Sequence, residues 1–280
     1  MVRSAALALL ITSLLASAAK AALPAYDNAA DPAYANGWID GSNGGFGFNP
    51  WVITTNNDNT EHFAGTFIGD ANASGVNGGI DTDGKAFGMY SNTSGNTSGA
   101  SVDAMRDFTG GALSAGQSFS LQIGVNYRDG GKGIILNGGG QILASFFIGG
   151  FPQEYALNVQ GTDPQTYSAA PFRADSLFTV TFTMDTAIQL TAHLTRTSNA
   201  GFEDLATLTT TLTGALPDGF NLFYGSTAQY YPQDDLFFNN FAVTNAAIPE
   251  PSTLGLLASG AALGLLRFLR RGPRRGRPSE

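Results

Sequence analysis

The stretch Phe178-Thr179-Val180-Thr181-Phe182-Thr183-Met184-Asp185-Thr186-Ala187-Ile188-Gln189-Leu190-Thr191-Ala192-His193-Leu194 changes polarity at almost every step. Phe178, Val180, Phe182 and Met184 form one apolar series, and Ile188, Leu190, Ala192 and Leu194 form a second. A period of two belongs to a strand with one buried face, because successive side chains point to opposite sides of a sheet. The stretch therefore predicts an antiparallel hairpin turning at Asp185-Thr186-Ala187, with Thr, Gln and His193 on the solvent side. Phe119, Leu121, Ile123 and Val125 repeat the pattern with Ser and Gln between them.

Further strand candidates are Trp51 to Thr55, Ala86 to Tyr90, Gln141 to Ile148, Tyr155 to Val159, Leu205 to Leu212, Phe220 to Tyr224 and Leu236 to Val243. Gly, Asn and Asp clusters separate them, and no stretch between the two ends of the chain sustains helical periodicity with caps. Roughly ten to thirteen short strands over this length predict an all-β, two-sheet antiparallel sandwich of the jelly-roll kind. The run Ser91 to Ser101 repeats Asn-Thr-Ser-Gly, at Asn92 to Gly95 and Asn96 to Gly99, and reads as an exposed loop. The sequons at Asn72, Asn92 and Asn96 read as turn chemistry rather than glycan sites.

Both ends differ from the centre. Residues 1–21 carry Arg3, an apolar run from Ala5 to Ala19 and the cleavage-type triplet Ala19-Lys20-Ala21, the make-up of a secretory signal helix. Residues 22–247 form the sandwich domain, and residues 248–280 read as three blocks. Pro249-Glu250-Pro251 comes first, then a membrane helix over about 253–269, then a tail over 267–277 carrying Arg267, Arg270, Arg271, Arg274, Arg275 and Arg277. A helix of that length spans about 25 Å, the lower edge of a hydrocarbon core. Arginines on one flank hold the tail in the cytoplasm and leave the domain outside. The two prolines keep the segment before the helix extended and accessible to a protease.

That ordered ending resembles the PEP-CTERM sorting signal of exopolysaccharide-producing Gram-negative bacteria. The resemblance implies that Pro249, Glu250 and Pro251 are read by an exosortase-type enzyme that removes the tail. It also implies an exported protein, anchored facing the periplasm or exterior and then delivered to the cell surface or extracellular matrix. More loosely, the chain from Tyr26 to Asn245 resembles concanavalin-like sandwich domains. Gly37-Trp38, Gly44 to Phe48, Trp51, Gly84 to Tyr90 and Leu236 to Phe241 carry that likeness. It implies that the first and last strands pair.

Between Ala22 and Ile248 there are twenty acidic residues against six basic ones, a net −14. Such a surface repels nucleic acid and anionic lipid. Cysteine is absent, which excludes disulfides, thiolate metal sites and Cys nucleophiles. The sequence carries no G-x-S-x-G elbow, H-E-x-x-H, Walker loop or paired-Glu array. Only Glu61, Glu154 and Glu203 lie in the domain, and His62 and His193 are its only imidazoles. No motif requires a cofactor.

Asp81-Thr82-Asp83-Gly84 is the best local cluster. Asp81 and Asp83 can offer oxygens to a structural Ca2+, with Asp70 or Asp58 as further ligands, although a plain Asp-Gly turn is the preferred reading. Asp234-Asp235 is a weaker candidate of the same type. Tyr230 and Tyr231, and also Trp38, Trp51 and Tyr127, can stack on sugar rings where exposed. Two functions remain: a non-catalytic, carbohydrate-binding surface or matrix protein associated with exopolysaccharide, or a polysaccharide hydrolase or lyase on the same fold. Two carboxylates converging in a groove distinguish the second.

Overall fold

A computed structural model describes residues 22–72, 79–93, 99–127, 130–149, 155–162, 165–166, 173, 175–225 and 235–245. The alternating sequences form strands, as their period requires. In chain order these are β1 (Ala25–Asp27), β2 (Val52–Asn56), β3 (His62–Gly69), β4 (Ala86–Thr93), β5 (Ser101–Asp107), β6 (Gln117–Val125), β7 (Gly131–Gly138) and β8 (Gln141–Ile148). There follow β9 (Tyr155–Val159), β10 (Gln165–Thr166), β11 (Ser176–Met184), β12 (Gln189–Ser198), β13 (Gly201–Thr211), β14 (Gly219–Gly225) and β15 (Leu236–Asn245). One sheet has the order β13-β12-β11-β6-β15-β4-β3 with β1 also on β15; the other has the order β10-β9-β8-β7-β14-β5-β2.

The chain is thus an all-β, two-sheet antiparallel sandwich. The β11–β12 hairpin forms as expected, with Phe182 opposite Ala192 and Met184 opposite Leu190, but its turn is longer than Asp185 to Ala187 and takes in Ile188, which is exposed instead of continuing the apolar face. Its turn is closed by the Asp185 N–H donating to the Gln189 carbonyl at 2.9 Å. The first and last strands pair as the resemblance implied, Ala25 with Val243 and Asp27 with Phe241.

Apolar residues of the inner faces meet as rings. Phe119 of β6 stacks on Phe220 of β14 at 4.6 Å, and Phe220 on Phe241 of β15 at 5.5 Å. Trp51 meets Phe241 edge-on at 5.6 Å, and Trp38 meets Trp51 at 5.1 Å. Each buried aromatic removes roughly 150–250 Å² from water, so this layer dominates the core.

Five strands escaped the sequence reading: the short β1 and β10, and the longer β3, β5 and β7. In β5 the inward series is Val102, Ala104 and Arg106, so a charge occupies a core position and breaks the apolar count. Glycines at 131, 133 and 138 blur β7 in the same way. The loop expected over Ser91 to Ser101 is shorter than predicted. Strand β4 continues through buried Ser91, Asn92 and Thr93, and β5 starts at Ser101. Polar residues there extend a strand because pairing with β3 runs to His62 opposite Thr93.

Arg106 is held by a closed polar cage. It pairs with Asp27, donates to the Asn49 carbonyl at 2.5 Å and the Gly44 carbonyl at 3.0 Å, and lies 5.0 Å from Phe48 and 4.9 Å from Trp51 ring centres. The Tyr34 hydroxyl donates to Asp27 at 2.5 Å and accepts from Trp51 Nε1 at 3.0 Å. Burial, with Asp27 beside it, pushes the Tyr34 phenol up, so it remains the donor. Burial also pushes the Asp27 carboxyl up, against the opposing pull of Tyr34 and Arg106.

Candidate functional site

The outer face of the second sheet carries the arrangement best suited to a ligand. Register places Thr54, Asp103, Phe223, Gly133, Phe147 and Ala156 in one row across six strands. Phe147 and Phe223 reach toward each other over Gly133, ring centres 6.1 Å apart and planes within 18°. Both rings are half-buried and form a nearly parallel pair.

Glycines let the rings lie low. A Cβ on Gly149 would collide with the Phe147 ring, and one on Gly131 would press it at 3.2 Å. Gly133 has φ +151, and its missing Cβ leaves room for the Phe146 carbonyl. In the next row Ser101, Gly225 and Gly131 stand side by side, so a floor without bulky side chains adjoins the rings.

Polar groups rim this platform. Asn221 Nδ2 donates to Asp103 Oδ1 at 2.9 Å, which fixes the amide and the carboxylate together beside Phe223. On the far side Asn158 Nδ2 donates to Ser145 Oγ at 3.1 Å. An apolar ring face bordered by an oriented carboxylate, amides and a hydroxyl matches a pyranose, which presents C–H groups on one face and hydroxyls at its edge. Among the described residues, Asp103 is the one acidic side chain on the rows that carry the rings and the glycine floor. Asp107 follows four residues later, about 13 Å along the strand; burial and Asp218 push its carboxyl up.

The residues singled out from sequence are distributed elsewhere. Trp38 and Trp51 are 0% and 1% exposed, so neither is a stacking platform; both close the core around Phe87. Tyr127 is 46% exposed. Tyr230, Tyr231 and Asp234 lie outside the described residues, as do Pro249, Glu250, Pro251 and the arginines Arg267, Arg270, Arg271, Arg274, Arg275 and Arg277. The signal segment 1–21 and the helix at 253–269 also fall outside, and among the described residues no helix is long and apolar enough to cross a membrane.

Asp83 and Gly84 both take positive φ, 51° and 70°, in a two-residue turn closed by reciprocal Thr82–Lys85 bonds of 2.9 and 3.0 Å. Asp81 instead faces the 70–72 loop, accepting from the Ala71 N–H at 3.0 Å and Asn72 Nδ2 at 2.5 Å. Burial, with Asp70 adding to it, pushes the Asp81 carboxyl up. Asp70 and Asp81, rather than Asp81 and Asp83, are therefore the carboxylates that adjoin. Among the described residues no third His, Asp or Glu joins such a group.

Asp58 organises a loop instead. One of its carboxylate oxygens accepts from the N–H groups of Thr60, Glu61 and His62 at 2.8, 2.8 and 2.9 Å, and the other faces His62 Nδ1 at 2.7 Å. Those backbone donors, with the ring, hold its carboxyl far below the usual range. His193 is solvent-facing as expected and meets Asp204 of β13 at 3.0 Å. Glu203 is engaged by Arg196 at 2.8 and 2.6 Å.

Sequence reasoning missed Phe147, Phe223, Asp103 and Asn221. No linear pattern joins them, since they sit on three different strands; the one available signal is Gly-x-Gly in β7 beside two Phe-rich strands.

No family model matches the chain, and no curated protein matches it in sequence. In structure it is similar to domain 4 of AbnA, a GH43 extracellular arabinanase from Geobacillus stearothermophilus solved with arabinotriose, at 14% identity, 75% of this chain, 89% of that one and TM-score 0.38. It is also similar to the Lotus tetragonolobus seed lectin, at 13% identity, 67% and 94% coverage and TM-score 0.37. A third similar structure is the Shewanella oneidensis protein SO2946, of unknown function, at 11% identity, 80% and 87% coverage and TM-score 0.41. The sandwich assignment itself rests on the strand order above.

Proposed function

We propose that this is an exported, non-catalytic carbohydrate-binding protein, sorted to the cell surface or matrix through its PEP-CTERM ending and associated there with exopolysaccharide. The observation that carries the binding half is the Phe147–Phe223 pair over its glycine floor, with Asp103 and Asn221 at the rim. Stacking supplies affinity, and the fixed amide and carboxylate supply orientation. The single acid among the described residues of these rows supports binding over glycoside hydrolysis, which uses two carboxyl groups about 5–9.5 Å apart. A structural Ca2+ belongs to this reading only at Asp70 and Asp81.

The sorting half rests on the sequence of both ends. An exosortase-type enzyme is the expected partner, and the membrane holds the chain until that enzyme acts. Nucleic acid is disfavoured by the net charge of the domain. Intact mass of the protein recovered from cells tests this directly: loss of residues 1–21 and of the arginine tail is expected, and a chain that keeps its arginines overturns it.

Binding and catalysis are separated by one experiment on the full-length chain in detergent. Affinity electrophoresis through neutral polysaccharides is run beside a reducing-end assay and an assay for unsaturated products. Retardation without new chain ends is expected. Release of reducing ends or unsaturated sugars overturns the non-catalytic reading and favours a hydrolase or lyase.

A further inference from the structure

The outer face of the first sheet bears a second, separate row of ligand-type side chains. Tyr26 of β1 forms an antiparallel bridge with Phe46, and the two rings are 39% and 60% exposed. The Tyr26 hydroxyl donates to Asn240 Oδ1 at 3.3 Å and accepts from Asn28 Nδ2 at 3.1 Å. Asn240 Nδ2 donates to Gln122 Oε1 of β6 at 2.6 Å. Register then carries the row from Gln122 to Thr179 of β11 and Thr195 of β12.

Asn240 is the unusual member. It has φ +54 in the middle of β15, where an extended conformation is the rule. Pairing of β15 with β4 ends at Phe238 opposite Phe87, and pairing with β1 resumes at Phe241 opposite Asp27. The irregularity between them turns the Asn240 amide onto the outer row, a recurrent use of bulges. Its neighbour Asn239 is buried and anchors the bend, accepting from the Ala29 N–H at 2.9 Å and donating to the Ile80 carbonyl at 2.8 Å.

Phe46, Tyr26, Asn240, Gln122, Thr179 and Thr195 thus make a continuous line of rings, amides and hydroxyls with no formal charge. At about 4.8 Å between strands its five steps cover roughly 24 Å, enough for several linked sugar rings. A polymer that reaches this row must also approach a domain of net charge −14, which repels anionic chains. We infer that the row is a second carbohydrate-binding track that takes an extended, neutral polysaccharide, anchored at Tyr26 and Phe46. It lies on the opposite sheet from the Phe147–Phe223 platform, so one molecule bridges two polymer chains. The bridging part rests on the platform being a sugar site.

The test uses full-length protein in detergent with mixed-linkage β-glucan, galactomannan and arabinan as neutral probes and alginate as the anionic one. Apparent Kd comes from affinity electrophoresis, and bridging from turbidity of the mixed solution. The variants are Tyr26→Ala/Phe46→Ala, Asn240→Gly and Phe147→Ala/Phe223→Ala, each checked for an unchanged melting profile. Glycine at 240 keeps the positive φ while deleting the amide, so it reads the contact rather than the fold.

Expected are binding of at least one neutral probe and none of alginate, and about tenfold weaker binding for each double variant. Turbidity is lost in either double variant, and Asn240→Gly weakens binding several-fold. Loss in the platform variant alone overturns the second track and leaves the platform standing. Loss in the Tyr26/Phe46 variant alone overturns the platform and the bridging while keeping the track. Retention of alginate, or of no probe, overturns the assignment to neutral glycans.

Discussion

Arg106, on the inward face of β5, is paired inside the sandwich with Asp27 of β1, a strand that belongs to the opposite sheet. Their side chains are 1% and 0% exposed. The pair therefore ties the first strand, and through it β15, to the far layer. Breaking one partner leaves a buried charge, which costs about 3–5 kcal/mol, whereas removing both costs less. Arg106→Leu is expected to lower stability by about that amount in denaturant unfolding, and Asp27→Leu/Arg106→Leu to recover part of it. A double variant no more stable than Arg106→Leu shows that the pair is not the source of the loss.

The Phe147–Phe223 pair depends on a glycine. A Cβ at Gly149 would collide with the Phe147 ring, while its φ is not in the left-handed region, so alanine displaces the ring without straining the backbone. Gly149→Ala is expected to weaken retention by neutral polysaccharide several-fold with a small change in melting temperature. Wild-type retention in that variant removes Phe147 from the site.

The loop between β2 and β3 should resist acid. Backbone N–H groups of His62, Thr60 and Glu61, together with the His62 ring, depress the Asp58 carboxyl below the usual value of 3.8. A depressed carboxyl contributes stability above its unfolded value and loses it as pH falls through the folded one. The order of the loop is thus kept at pH 4 and lost well below it. Amide exchange at Thr60, Glu61 and His62 should remain slow until that point in the wild type. In Asp58→Asn the protection of these amides, taken relative to the intrinsic exchange rate at each pH, should be lower at neutral pH and flat across the acid range; a wild-type loop that opens near pH 4 contradicts the assignment.

Calcium is testable at one place. Burial and the neighbouring Asp70 both disfavour the charged form of Asp81, and a divalent cation between the two carboxylates would relieve that. Millimolar Ca2+ should raise the melting temperature of the wild type and leave Asp81→Asn unmoved. An unchanged wild-type melting temperature with Ca2+ or chelator excludes the ion there.

Much of the fold was legible in the chain because a half-buried strand writes its burial every second residue. Gln141 to Ile148 and Tyr155 to Val159 coincide with β8 and β9, and the β11–β12 hairpin forms where the alternation placed it. Strand β5 was not legible, since its inward Arg106 reads as a surface residue until Asp27 is seen beside it. The tryptophans misled for the opposite reason. An indole is equally suited to a sugar face and to a core, and only the packing of Trp38 and Trp51 against Phe87 decided between them.

By itself the sequence determined the class of fold, through its period of two, and the absence of thiol chemistry, through its lack of cysteine. The proposed reading of both ends as an export signal and a sorting signal rests on the sequence alone, since composition and order along the chain are all that such signals use. Tertiary structure alone decided which residues share a surface. Phe147 and Phe223 are seventy-six positions apart and meet only because β7 lies between β8 and β14. Tyr26 and Asn240 meet only because the first strand pairs with the last. Neighbours across a sheet are fixed by strand order and register, and neither is written locally in the chain.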